Sequence, residues 1–367
     1  MTLATPEASL GPVRITRPAR ADRANPTSLY SELLKTVRDL GLLRRRRGFY
    51  ITTFSVITLA LAGALTGFFL LGQSWFQLLI AAALGIIATQ FAFIAHEAAH
   101  RQIFESGKSN DWAGILIGNG LVGMSFHYWN HKHSRHHTKP NTINADPDIT
   151  SYWVAFDPDE RERRLGWRDK LARIQGWLLF PFLLFLGLAL YVDSVKALVR
   201  DSRVHHRWAE LGLLAARHIG WSTVVILFLG WGMGAAFLGV QVAVFGFYMG
   251  ASFAPNHKGM AILGERDETD FFRRQVLTSR NISGAGTTTL MGGLNYQVEH
   301  HLFPNMARPH LKKAAAVVRE YCEKHNVPYT QTTLFESYRQ VVGYLNRVGL
   351  RDADPFHCPV VASTRLH

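Results

Sequence analysis

Two uncharged apolar runs stand almost back to back near the start of the chain, Phe49 to Gly72 and Ser74 to Ala95. A helix needs about 20 apolar residues to cross a bilayer, and each run is long enough. In hydrocarbon every backbone N–H and C=O must be satisfied within the segment, so such runs become helices. A further apolar region, 213–254, has room for two crossings and breaks at Gly230, Gly232 and Gly234. The expected fold is an all-α integral membrane protein with four transmembrane helices, at about 49–72, 74–95, 213–232 and 234–254. A shorter run, 176–192, contains Pro181 and has basic residues on both sides, Arg161 to Arg173 before it and Lys196 to Arg207 after it. Basic residues collect on the cytoplasmic side, so this run is expected to be re-entrant or interfacial.

The remaining segments are polar. Residues 1–48 read as a basic tail, flexible over about the first 26 residues, followed by a short amphipathic helix between Ser28 and Leu43. Residues 49–349 form the membrane domain and 350–367 a C-terminal tail, with amphipathic helices at about 309–325 and 332–347. Four crossings place every polar segment on one face, where these helices form a cap. The 40 Lys and Arg against 27 Asp and Glu give a net charge of +13. The basic residues flank apolar runs and do not interleave with aromatics, so anionic lipid accounts for them and nucleic acid is not an expected partner. The two cysteines, Cys322 and Cys358, exclude a disulfide framework and a Cys-rich metal site.

The 17 histidines are clustered. His96 and His100 end the second apolar run at i, i+4 spacing, which puts both rings on one helical face. His133, His136 and His137 share one side of a helical turn, and Gln297, His300 and His301 repeat that spacing. Neutral imidazole suits Zn, Cu, Fe and Ni. One catalytic zinc takes three protein ligands, so seven clustered histidines fit two ions. Glu97, Glu299, Asp146 and Asp148 are candidates to orient the rings by accepting their other N–H. His96 to His100 also reads HExxH, which on its own would suggest a zinc protease with Glu97 as base. Gly118 to Gly123 fits GxGxxG but lies in an apolar segment without a preceding strand, so nucleotide binding is not expected.

The three boxes, HxxxH, HxxHH and QxxHH, between pairs of membrane helices resemble the membrane-bound fatty acid desaturase family. Lys132 through His137, Pro140-Asn141 and Asp146-Pro147-Asp148 resemble its second-box region. Gly293 through Gln297 and His301 through Pro304 resemble the third box of its front-end branch, and Phe253 through Met260 a further segment of it. The resemblance covers about residues 50–345 and looks closest to bacterial, actinobacterial-type acyl-CoA desaturases. It implies a di-iron centre held almost wholly by histidine, with His257 as an additional ligand. Gln297 stands where other branches have His, and its amide oxygen is a poor iron ligand, so contact through water or through another ligand is expected.

The implied activity is oxygen-dependent insertion of a cis double bond into a long-chain acyl group, carried as acyl-CoA or lipid. The electrons would come from a separate ferredoxin or flavin reductase, ultimately from NAD(P)H, because no flavin, nicotinamide or haem module is legible. The expected location is a bacterial plasma membrane with the site facing the cytoplasm. A hydroxylase or ketolase on the same irons is the alternative, and the zinc protease a remote one.

Overall fold

A computed structural model describes residues 26–350 apart from Tyr152, so the expected tails and Cys358 lie outside the described residues. Among the described residues the chain is helical except for two three-residue strands. The first helix, α1 (Pro26–Asp39), shares a core with Phe272, Val298 and Leu302 through Leu33 and Val37. Next, α2 (Arg47–Leu71) and α3 (Gln77–Ala99) form a hairpin that turns at Gly72, φ 63°. The Gln77 side chain closes the turn by donating to the carbonyls of Phe68 at 2.6 Å and Gly72 at 2.8 Å.

From the end of α3, α4 (Gly107–Ile115) continues as a π-helical segment, Leu116–Val122, which stops at Gly123 with φ 91°. This segment holds the GxGxxG residues, without a strand before it. The helix α5 (Phe126–Thr138) begins at Ser125, whose Oγ accepts the Tyr128 N–H. Short helices α6 (Pro158–Glu162) and α7 (Trp167–Ala172) lead into α8 (Gln175–Arg200), and then come α9 (Arg207–Ala215), a π-helical turn and α10 (Trp221–His257). The cap follows: α11 (Phe271–Leu277), α12 (Thr287–Leu290), α13 (Gln297–Leu302), α14 (Arg308–Lys324) and α15 (Leu334–Leu350). Strands β1 (Asn281–Ser283) and β2 (Gln331–Thr333) pair in parallel within it.

Four helical stretches are long and apolar enough to cross a membrane: Arg47–Leu71, Gln77–Ala99, Gln175–Arg200 and Arg207–His257. The last is two antiparallel arms. Gly230 leaves helical geometry with φ 76° and ψ 170°. Trp221 Nε1 donates to Gln241 Oε1 at 2.9 Å, although twenty residues along one straight helix span about 30 Å. The turn at Gly230 lies beside the α2–α3 turn, since the rings of Phe68 and Phe228 are 4.9 Å apart and Gln73 reaches the Phe228 carbonyl. Both turns are thus at one end of the bundle, and His96, His100 and His257 are at the other.

Helix α8 runs unbroken for 26 residues, so it is not a re-entrant pair. Its start packs on α15, where a Cβ at Gly176 would lie 2.4 Å from the Val342 carbonyl. Its end meets α5: Ser194 Oγ accepts the Ser125 N–H at 2.9 Å, and His127 Nε2 lies 3.1 Å from Asp201. Both ends therefore touch elements of the histidine side. In between, Gly187 and Gly246 let α8 and α10 approach so closely that a Cβ at Gly246 would lie 2.3 Å from the Gly187 nitrogen.

This arrangement predicts the labelling pattern of single cysteines at Gln73, Ser202 and Lys312, all at exposed positions, in a background lacking Cys322 and Cys358. With the histidine side inward, as the flanking basic residues favour, an impermeant thiol reagent on intact cells should label only position 73. Labelling at position 202 from outside would mean that α8 crosses.

Candidate metal centre

Eight histidines from four elements meet at the end of the bundle. The last turn of α3 supplies His96, the residue after it is His100, α5 supplies His133, His136 and His137, α10 ends on His257, and α13 supplies His300 and His301. They form two groups. His96, His100, His133, His137 and His300 make one, and His136, His257 and His301 the other, with the facing atoms of each within 4.8 Å of one another. These are the eight residues expected from the sequence, and six are buried, with His100 and His137 half-buried.

The ring partners decide what these nitrogens can do. In the group of three, each Nδ1 faces an oxygen that can only accept. His136 Nδ1 lies 2.9 Å from Asp146 Oδ2, and His257 Nδ1 lies 2.9 Å from the Thr278 carbonyl. His301 Nδ1 lies 2.9 Å from Gln275 Oε1, and the Gln275 nitrogen donates to the His137 carbonyl. Each Nδ1 therefore carries the proton and each Nε2 keeps a lone pair. The lone pairs of His136 and His257 then face each other across 3.3 Å. In the group of five, His133 Nε2 lies 2.8 Å from that of His96, 2.9 Å from that of His100 and 3.0 Å from that of His137. One ring nitrogen offers either one proton or one lone pair, so it cannot make three full hydrogen bonds at once. A cation in each group would take up the converging lone pairs, and the donor set suits a late first-row metal.

Burial favours the ligating form. It holds the His100 imidazole down at about 3, with the neighbouring His136 adding to the effect. His133, His137, His300 and His301 are pushed well below the usual range by burial and then by the surrounding rings. Neutral rings are what a metal needs. The rings are also fixed by stacking, His137 on His301 at 4.2 Å and His133 on Trp129 at 5.2 Å.

Residues 73–333 match the sequence profile of the family described as fatty acid desaturase. The chain belongs to that family. A Delta(8)-fatty-acid desaturase of Helianthus annuus is 27% identical over 350 residues, which cover 89% of this chain and 74% of the relative. A Delta(8)-fatty-acid desaturase of Euglena gracilis is 30% identical over 304 residues, 79% of this chain and 72% of its own. An acyl-lipid (9-3)-desaturase of Borago officinalis is 26% identical over 340 residues, 89% and 75%.

In this member of the family the four expected carboxylates divide. Asp146 orients His136, and Asp148 Oδ2 is 3.5 Å from the same Nδ1. Burial opposes a charge on Asp148, but Lys132, His136 and Lys258 outweigh it and keep the group below the usual carboxylate range. Glu97 and Glu299 do not orient imidazoles. Glu299 accepts from Asn281 and Tyr329, and burial pushes it up to about 7. Glu97 accepts from two of the three Arg308 guanidinium nitrogens, Nε at 2.7 Å and Nη2 at 2.6 Å. Being tied there, it is not placed as the free base that a zinc protease needs. The spacing could not reveal this, because Arg308 is 211 residues away in sequence. Gln275, Thr278 and Trp129 were likewise missed, since a glutamine, a backbone carbonyl and a stacked indole carry no sequence signal.

The Arg308–Glu97 pair is buried, and losing one partner of such a pair costs about 3–5 kcal/mol. Arg308→Leu should lower the unfolding midpoint accordingly, and adding Glu97→Leu should restore most of it. Thermal unfolding in detergent checks this, and equal loss in single and double variants would contradict it.

Proposed function

We propose that this chain is an oxygen-dependent desaturase that places a cis double bond in a long-chain fatty acyl group, with two iron ions held by the eight histidines. The observation that carries this reading is the convergence of the Nε2 atoms into two adjacent groups, in the smaller of which the Nδ1 atoms hold the ring protons. The names of the relatives support the substrate class. Gln297 in the third box and the Delta(8) and (9-3) activities of those relatives favour insertion on the carboxyl side of an existing double bond over carbon 9 of a saturated chain.

Iron, when bound, supplies the oxygen chemistry that removes hydrogen from an unactivated methylene. The side chains do the rest. Asp146, Thr278 and Gln275 keep three imidazoles in the ligating tautomer. The helices around the rings exclude water. An apolar cleft of about 400 Å³ opens between α2, α3 and the first arm of α10, lined by Leu65, Leu84, Ala88, Phe91 and Trp221. Its size and lining suit an alkyl chain, and we assign it to the acyl tail. The acyl group arrives on CoA or on a lipid. A separate ferredoxin or flavin reductase docks on the basic face of the cap, which faces the cytoplasm of a bacterial plasma membrane.

Cells expressing the chain should accumulate an unsaturated fatty acid that cells expressing His136→Ala lack, and the purified chain should carry about two irons. Mass spectrometry of the fatty acids checks the first. A hydroxylated or keto product in place of the alkene would overturn the reading.

Gly220 borders the cleft, and a Cβ there meets nothing within 4 Å. Gly220→Phe should fold normally, fill part of the cleft and shift the products toward shorter chains. An unchanged chain-length distribution would remove the cleft from the substrate path.

A further inference from the structure

Gln297 occupies the one side-chain position of the three boxes that is not histidine. Its side chain is 1% exposed and its amide lies 2.8 Å from His257 Nε2, the nitrogen that faces the group of three. An amide offers two different ends, an oxygen that could ligate a metal and a nitrogen that cannot. Which end faces the histidines depends on its neighbour, Asn256.

Asn256 is fully buried. Its Nδ2 lies 3.2 Å from the Ser252 carbonyl and 3.1 Å from the Leu294 carbonyl. Both are backbone oxygens that only accept, so the Asn256 amide cannot turn over. The same Nδ2 lies 3.2 Å from the near end of the Gln297 amide. That end must therefore be Oε1, since a second NH₂ there would place donor against donor. The two Nδ2 hydrogens of Asn256 are shared among three oxygens, one of them that of Gln297, which therefore faces Asn256 while the Gln297 NH₂ is turned toward His257.

We propose that Asn256 locks Gln297 with its NH₂ toward the group of three, so that Gln297 donates a hydrogen bond to the water or anion completing that metal's coordination and is not itself a ligand. This rests on the metal reading above. Asn256 is the positioning residue, acting through Gln297. A polar contact of this kind, one step out from the metal, typically changes affinity by about 10–100-fold.

The test loads the full chain with cobalt(II) in detergent. Metal per chain is counted by mass spectrometry, and azide is titrated against the visible bands as the probe of the remaining coordination position. Wild type should hold two cobalt ions. Gln297→Leu should also hold two and should bind azide about 10-fold more weakly. Asn256→Leu, which frees the amide to rotate, should weaken azide in the same direction with both ions kept. If Gln297→Leu holds one ion, Gln297 is a ligand and the inference fails while the metal centre stands. If Gln297→Leu holds two ions and binds azide as wild type does, the donor role fails. If wild type itself does not hold two, the metal reading fails and this inference falls with it.

Discussion

The structure depends on a repulsion. Eight imidazoles point ring nitrogens at two neighbouring places, and in the group of three the Nδ1 protons are held on the far side of each ring. Such an arrangement is unfavourable by itself, because buried polar atoms need partners. It persists because the three rings of the smaller group are fixed from behind by a carboxylate, a carbonyl and a glutamine, and His137 and His133 by stacking on His301 and Trp129. The unfavourable contacts are what a metal would relieve.

The rest of the fold brings the four contributing elements to one place. Two helical hairpins, α2–α3 and the two arms of α10, turn at the same end of the bundle and deliver His96, His100 and His257 at the other. Helix α5 is held at its start by Glu210, which accepts from Ser125 Oγ at 2.6 Å and from Asn119 at 3.0 Å. The Arg308–Glu97 pair ties the beginning of α14 to the end of α3. It thereby sets α13, with His300 and His301, over the first pair of histidines. Helix α8 braces this end, touching α15 with its first turn and α5 with its last.

Much of this was legible in the sequence, and the reason is local. A crossing helix announces itself by length and lack of charge, and i, i+3 and i, i+4 spacing places histidines on one face without further information. The expected helices at 309–325 and 332–347 appear at Arg308–Lys324 and Leu334–Leu350 for the same reason. Helix α8 is longer than the apolar run 176–192 suggested, because it extends through Pro181 and through the charged turn at Lys196 to Arg200.

Sequence alone therefore determined the all-helical membrane class, the three boxes and their seven histidines, all features that a few consecutive residues fix, while His257 came from the family resemblance. Only the tertiary structure decided how the eight divide into five and three, which carboxylates serve them, and which end of the Gln297 amide faces them. Each of those depends on partners far apart in the chain: Glu97 on Arg308, His257 on Thr278, Gln297 on Asn256 and through it on Leu294. A hydrogen bond has direction, and that direction is set by whichever group the fold places opposite it.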